Sequence, residues 1–260
     1  MNVLVMTDLE GITNVDSIDM IPAENPGYLI ACENLMADIN AAIEGLCEAG
    51  AETIYVIDGH GGGNNFIPDT LDGRAVLLKY PEWENAVRNG KIDAFIEIGA
   101  HAMAGTQNAF LDHTQNSKKW FDYSVNGRPS GEIAQGAIFA AAYGVPFVML
   151  SGDTAVCEEA RRFFGDIECA AVKQATGRNK ARSLPADEAR SIIRNCAKRS
   201  LALTGKIKLY KPLLPLELIF TFQRCDYCDE YESRPGLERT GPRTLRKLVN
   251  KVERYTDILL

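Results

Sequence analysis

The sequence predicts an α/β protein with a mostly parallel central sheet covered by helices and a smaller C-terminal α+β portion. Three observations carry that expectation. Short runs such as "NVLVM", "TIYVI" and "VPFVML" are apolar at nearly every position, as in strands buried on both faces. Between them lie longer stretches whose apolar positions recur three and four residues apart, the spacing of helices that cover a sheet. Strands separated by helices in this order need crossover connections, which favour parallel pairing.

In chain order, "NVLVMT" is the first strand and a loop containing Pro22 and Pro26 follows it. Leu29, Cys32, Met36, Ile39, Ile43 and Leu46 then mark one face of a helix that Gly50 closes. "ETIYVID" is the next strand and "GHGGGNN" the loop after it, while "RAVLLKY" and "IDAFIEIGA" are two more short strands. Alternation in "FDYSVNGRPSGE", with Asn126-Gly127 as a tight-turn signal, predicts a hairpin. "EIAQGAIFAAAYG" reads as a helix of small residues and "VPFVMLSGD" as a buried strand. A helix from about Ala186 to Leu203, a strand "LELIFTF", a polar loop from Arg224 to Gly241 and a closing helix with Leu245, Leu248, Val249 and Val252 on one face complete the chain. The polar "TGRNKARS" marks a boundary between a core over residues 1–180 and a C-terminal subdomain over 181–260 packed on it. No linker forces that cut, and one continuous domain fits as well.

The 260 residues are 46% hydrophobic, enough for a substantial core. A net charge of −7, with the acidic residues dispersed, argues against nucleic acid as a partner. No window offers the ~20 consecutive apolar residues of a membrane span, and the N-terminus lacks the basic and apolar regions of a signal peptide. The expectation is a cytoplasmic protein with no membrane partner. Cys32, Cys47, Cys157, Cys169, Cys196, Cys225 and Cys228 are odd in number and scattered, which fits reduced thiols. Cys225 and Cys228 form the single CxxC, half of a zinc site at best and read here as a surface turn.

Chemistry concentrates where strands end. Asp8 and Glu10 close the first strand with one residue between them, so both side chains point the same way and repel unless something positive lies between. Of the three histidines, His60 and His101 each follow an apolar strand, in "YVIDGH" and "FIEIGAH"; the third is His113. In open α/β sheets the carboxyl edge is where ligands bind. Imidazoles and carboxylates together are the ligand set of zinc and similar ions, and Asp8, Glu10, His60 and His101 already make four donors. Glu132, where a turn runs into a helix, is either a fifth donor or a first-turn carboxylate that satisfies the helix dipole. Lys173 and Arg178 are either surface ion pairs or cations that reach the site from a neighbouring subunit. Gly11 is expected to turn the chain away beneath the site. The glycines of "GHGGGNN" are expected to let backbone approach it, with Asn64 and Asn65 making turns.

"MTDLEGI", "DGHGGGNN", "IGAHAMAG", "DHT" and "VNGRPSGEIAQGA" resemble the successive motifs of the zinc-dependent D-aminopeptidase family, whose N-terminus carries a D-x-E-G signature. That signature alone is weak; five motifs in the right order are specific. The resemblance covers about the first 180 residues and fades over residues 205–260. It implies a binuclear zinc aminopeptidase that hydrolyses the N-terminal residue, a D-amino acid, from short peptides or amino-acid amides by metal-activated water. In that pattern Asp8 bridges two ions, Glu10 and His60 complete one, and His101 and Glu132 complete the other. His113 matches the family's catalytic histidine, which is not a ligand. The resemblance also implies a homo-oligomer, a decamer of two stacked pentameric rings with sites facing an interior channel.

A rival reading sets "VLVMTDLEGIT" beside the D-x-D-G-T motif of haloacid-dehalogenase-like phosphatases. It would make Asp8 a nucleophile and Asp153 a magnesium ligand, against a simple N-cap for a helix starting near Thr154. It leaves His60 and His101 without a role. A metal-bound homologue without chemistry is the non-enzyme alternative.

Overall fold

The computed structural model describes residues 1–260. Its elements are β1 (Asn2–Thr7), α1 (Gly27–Glu48), β2 (Thr53–Asp58), β3 (Ala75–Leu78), α2 (Glu82–Arg88), β4 (Ala94–Ala100), β5 (Trp120–Val125), β6 (Arg128–Pro129) and α3 (Glu132–Ala142). There follow β7 (Phe147–Asp153), α4 (Thr154–Phe164), β8 (Glu168–Gly177), β9 (Lys180–Ser183), α5 (Ala186–Ser200), β10 (Leu216–Phe222), α6 (Cys225–Asp229), β11 (Leu237–Gly241) and β12 (Thr244–Val249).

Seven strands form the main sheet in the order β3-β2-β1-β4-β7-β8-β9. Every pairing is parallel except the last, where β8 turns back on itself into β9. The central strands β4 and β7 are buried along their whole length, which is why their sequences do not alternate. One face packs on α1 and α5 through Val3, Val5, Ile96 and Ile98, with Leu35, Ile39 and Ile193 opposite. The other face, through Leu4, Phe95 and Leu150, packs on α2, α3 and α4. The chain builds outward from β1 to β3 and then returns to place β4 on the other side of β1, so the strand order reverses between β1 and β4. At such a switch point the crossovers diverge and leave a crevice at the carboxyl edge.

A second, antiparallel sheet in the order β11-β12-β10-β5-β6 extends the core on the α3 side. Here the expected closing helix is a strand. Leu245 and Val249 of β12 pair with Phe220 and Leu216 of β10, and both are buried, while Leu248 between them is half exposed. The free edge of β10 selects the pleated alternative, in which tertiary pairing outweighs weak helical spacing. The loop expected from Arg224 to Gly241 contains α6 and β11. All seven cysteines are free, and Cys225 and Cys228 lie in α6, the first exposed and the second buried.

Candidate metal centre

Backbone pairing places the first donors. The Asp8 amide donates to the Ile98 carbonyl (2.8 Å), extending the β1–β4 ladder by one residue beyond the strand. The Gly11 amide donates to the Gly99 carbonyl (2.7 Å), which returns the chain over the end of β4. A Cβ at Gly11 would fall 2.1 Å from the Ala100 oxygen, and one at Gly99 would fall 2.1 Å from the Asp8 oxygen. Gly11 is therefore demanded by close backbone approach rather than by a turn.

The structure brings Asp8, Glu10, His60, His101, His113 and Glu132 together in two clusters, with ligand atoms within 4.8 Å in each. Asp8 joins them. Its Oδ1 lies 2.8 Å from His60 Nδ1 and its Oδ2 lies 3.3 Å from His101 Nε2. Glu10 Oε2 is 3.1 Å from His60 Nδ1, and Glu132 Oε1 is 3.2 Å from His101 Nε2. Glu132 opens α3, as its helix-dipole reading requires, yet its carboxylate also faces His101 and accepts the Gln115 amide (2.7 Å). His113 Nε2 stands farther back, 3.9 Å from Glu132 Oε1.

Two buried atoms of this cluster, His101 Nε2 and Glu10 Oε2, have no hydrogen-bond partner in the protein. His101 Nδ1 faces the Ala102 carbonyl at 3.0 Å and must donate to it, because a carbonyl only accepts. The bare Nε2 is thereby turned toward two carboxylate oxygens. That arrangement is stable only with a positive centre between them, either a proton or a cation. Two imidazole nitrogens and three carboxylates are the donors that a zinc-like ion takes. The residues present fit a metal.

Electrostatics agree. Burial disfavours charge on His60, but the carboxylates of Glu10 and Asp8 outweigh it and push the imidazole up to about 11. His101 is raised in the same way, against its burial, chiefly by Glu132. Burial likewise opposes the charge on Glu10 and Glu132, but His60 holds Glu10 well below the usual carboxylate range and His101 brings Glu132 to about 2.

Supporting contacts include several that sequence reasoning missed or misplaced. The Asn65 side chain donates to the Asp58 carboxylate (2.9 Å) and to the His60 carbonyl (2.8 Å), fixing the turn that presents His60. Gly61, Gly62 and Gly63 of that turn all have positive φ, with open space around Gly61 and Gly62, so they serve conformation. Close approach falls to Gly59 instead, where a Cβ would meet the Thr7 oxygen at 2.6 Å. Lys173 is neither a surface residue nor free to reach elsewhere. It is buried and donates to the carbonyls of Glu10 (2.9 Å) and Val15. Glu159, fully buried, accepts the Met103 amide (2.9 Å), and its Oε1 has no partner; a Cβ on Gly131 would come within 3.0 Å of it. It thus lies between the segments that carry His101 and Glu132, and burial raises its carboxyl to about 7. Asp153 accepts the Val156 and Phe110 amides and is the N-cap of α4.

A cavity of about 340 Å³ opens beside His113, lined also by Asp112, Trp120, Asp122, Arg178 and Gln223. The largest cavity, about 690 Å³ between Arg128, Phe163 and Tyr210, includes none of the cluster residues.

A mostly parallel α/β sheet that gathers imidazoles and carboxylates around a shared aspartate at its switch point defines the class: an α/β protein with a candidate metal centre. Comparison with known proteins narrows the class. The chain belongs to the D-aminopeptidase family, peptidase family M55, whose model matches residues 1–260, and it is a peptide hydrolase of the aminopeptidase type. The match includes the C-terminal region where the motif resemblance faded. The D-aminopeptidase of Bacillus subtilis (strain 168) is 26% identical over 268 residues, covering 100% of this chain and 96% of that protein. A solved structure described as "Zn-dependent D-aminopeptidase DppA from Bacillus subtilis, a self-compartmentalizing protease" superposes with a TM-score of 0.92. Its identity is 23%, over 100% of this chain and 96% of that one. This likeness establishes the α/β fold.

Proposed function

We propose that the protein is a binuclear zinc aminopeptidase that removes an N-terminal D-amino acid from short peptides or amino-acid amides. The observation that carries this reading is the division of the Asp8 carboxylate, one oxygen toward His60 and the other toward His101. In this reading Asp8 would be shared between two ions, with Glu10 and His60 holding one and His101 and Glu132 the other. When bound, the ions polarise the scissile carbonyl and make water a competent nucleophile at neutral pH.

The chain's own residues do the rest. His101 is locked in the tautomer that offers Nε2, through its bond to Ala102. His113 donates Nδ1–H to the Leu111 carbonyl (2.7 Å), which leaves a bare Nε2 directed at the cluster, able to take the proton that the attacking water gives up and to pass it to the departing amine. The cavity beyond His113 receives the part of the substrate that leaves. The Bacillus subtilis relative is a self-compartmentalizing protease, and this reading extends to a closed homo-oligomer here, a decamer, working in the cytoplasm.

Elemental analysis of the purified protein, with paired D- and L-aminoacyl amides assayed before and after chelation, tests the proposal. About two zinc equivalents per chain and chelator-sensitive release from D-substrates are expected. Release from L-substrates alone would overturn the stereochemical part, and absence of any tightly held ion would overturn the centre. Light scattering in solution reads the subunit number.

A further inference from the structure

His113 occupies the long connection between β4 and β5, which has no regular secondary structure, and yet its ring is closely fixed. Its amide donates to the Ala102 carbonyl (3.2 Å) and its Nδ1 to the Leu111 carbonyl (2.7 Å). Leu111 itself has a φ of 52°, a left-handed conformation that a leucine adopts only when its surroundings enforce it. Several contacts hold this segment, among them the bond of the Phe110 amide to Asp153 (2.8 Å), and Arg178 makes three of them. The Leu111 amide donates to the Arg178 carbonyl (2.7 Å), the Arg178 Nε pairs with Asp112 Oδ1 (2.9 Å), and its Nη2 donates to the Asp112 carbonyl (2.9 Å). The remaining Asp112 oxygen accepts the Gly105 amide (2.7 Å). Arg178 thus grips the two residues that precede His113, from the tip of the β8–β9 hairpin. The same β8 strand carries Lys173, whose ammonium holds the Glu10 carbonyl.

We propose that Arg178 is a positioning residue for the hydrolytic step, acting through Asp112 and Leu111 to aim His113 at the centre. The inference rests on the reading of His113 as the proton donor. Arg178 is half exposed, so its side chain can be removed without opening the core, and the backbone bond to Leu111 survives that removal. What is lost is the bidentate hold on Asp112. A lysine can make one of those two contacts but not both.

The test is a set of variants assayed on one D-aminoacyl amide with metal content measured in each: Arg178→Ala, Arg178→Lys, His113→Ala and the double variant Arg178→Ala/His113→Ala. Arg178→Ala should lower kcat by about tenfold or more, because small misplacements of a catalytic group are expensive. Bound metal should stay unchanged, any rise in KM should be small beside the loss in kcat although Arg178 also lines the cavity beyond His113, and Arg178→Lys should fall between. In the double variant the Arg178 substitution should add no further loss, since its effect passes through the missing imidazole. Three results would each overturn the inference: an unchanged kcat in Arg178→Ala while His113→Ala is inactive, a raised KM at constant kcat, or an undiminished Arg178 effect in the double variant. Normal turnover in His113→Ala would instead bring down the reading of His113, and the inference with it.

Discussion

The imidazole rings of His101 and His113 lie face to face, with centroids 3.9 Å apart and planes 7° from parallel. Each donates Nδ1–H to a backbone carbonyl, so both rings direct Nε2 toward Glu132. Their distances to Glu132 differ, 3.2 Å for His101 and 3.9 Å for His113, and the proposed function takes the nearer ring as the ligand and the farther one as the proton donor.

That asymmetry predicts separable losses. His113→Phe keeps a flat ring against His101 and removes only the nitrogens, so it should retain both ions and lose roughly 10²–10⁴-fold in kcat. Metal analysis alongside steady-state kinetics checks it. A variant that also sheds metal would show that His113 is a ligand.

Asp8 and Glu132 should differ in stoichiometry. Asp8→Ala removes the carboxylate common to both clusters and is expected to leave less than one ion per chain. Glu132→Ala touches only the His101 side and should leave about one. Elemental analysis after gel filtration decides between them, and equal losses would argue against a bridging role for Asp8.

Ion uptake should release protons. In the metal-free protein the His60 imidazole is pushed up to about 11, so near pH 7 it carries a proton where an ordinary imidazole is mostly neutral. Its contribution to folding is fully present below the ordinary value of 6.5 and is lost as pH rises through about 11. The Glu132 contribution, with a carboxyl near 2, is present above the ordinary 4.5 and is lost as pH falls toward 2. A zinc ion must displace the His60 proton, so affinity should rise about tenfold per pH unit for each proton released. Zinc titration calorimetry at pH 7 in two buffers of different ionisation enthalpy should give different heats. Identical heats would contradict the coupling.

Gly11→Ala should cost stability as well as activity. The added methyl would meet the Ala100 carbonyl, Gly99 and their shared peptide at contact distances no structure accepts, so β1 and β4 must part. Overpacking of this kind costs about 1–3 kcal/mol, a loss of several degrees in melting temperature for a chain of this size. Thermal unfolding of the metal-free protein isolates that effect from metal loss.

How much of this was legible in the sequence depended on distance along the chain. Asp8, Glu10, His60 and His101 announced themselves because each directly follows an apolar strand, and a parallel sheet brings strand ends to one edge. Glu132 was ambiguous, since a first-turn glutamate looks the same whether it caps a helix or faces an imidazole. Glu159 gave no signal, and Lys173 suggested only a surface ion pair or a cation reaching the site from a neighbouring subunit. They act on the backbone of Met103 and Glu10, 56 and 163 residues away, and no local pattern encodes such contacts. β12 was misread because the partner that makes it a strand, β10, lies outside its own sequence.

The donor set spans positions 8 to 132, and the lysine that braces it arrives at 173. A zinc finger gathers its ligands from one short stretch and folds around its ion. Here a growing chain on the ribosome cannot offer the full set until α3 has emerged, and cannot hold Glu10 in place until β8 has joined the sheet. In the two-ion reading proposed above, capture of the ions would thus be a late event in biogenesis, a checkpoint that only chains with a correctly threaded sheet would pass.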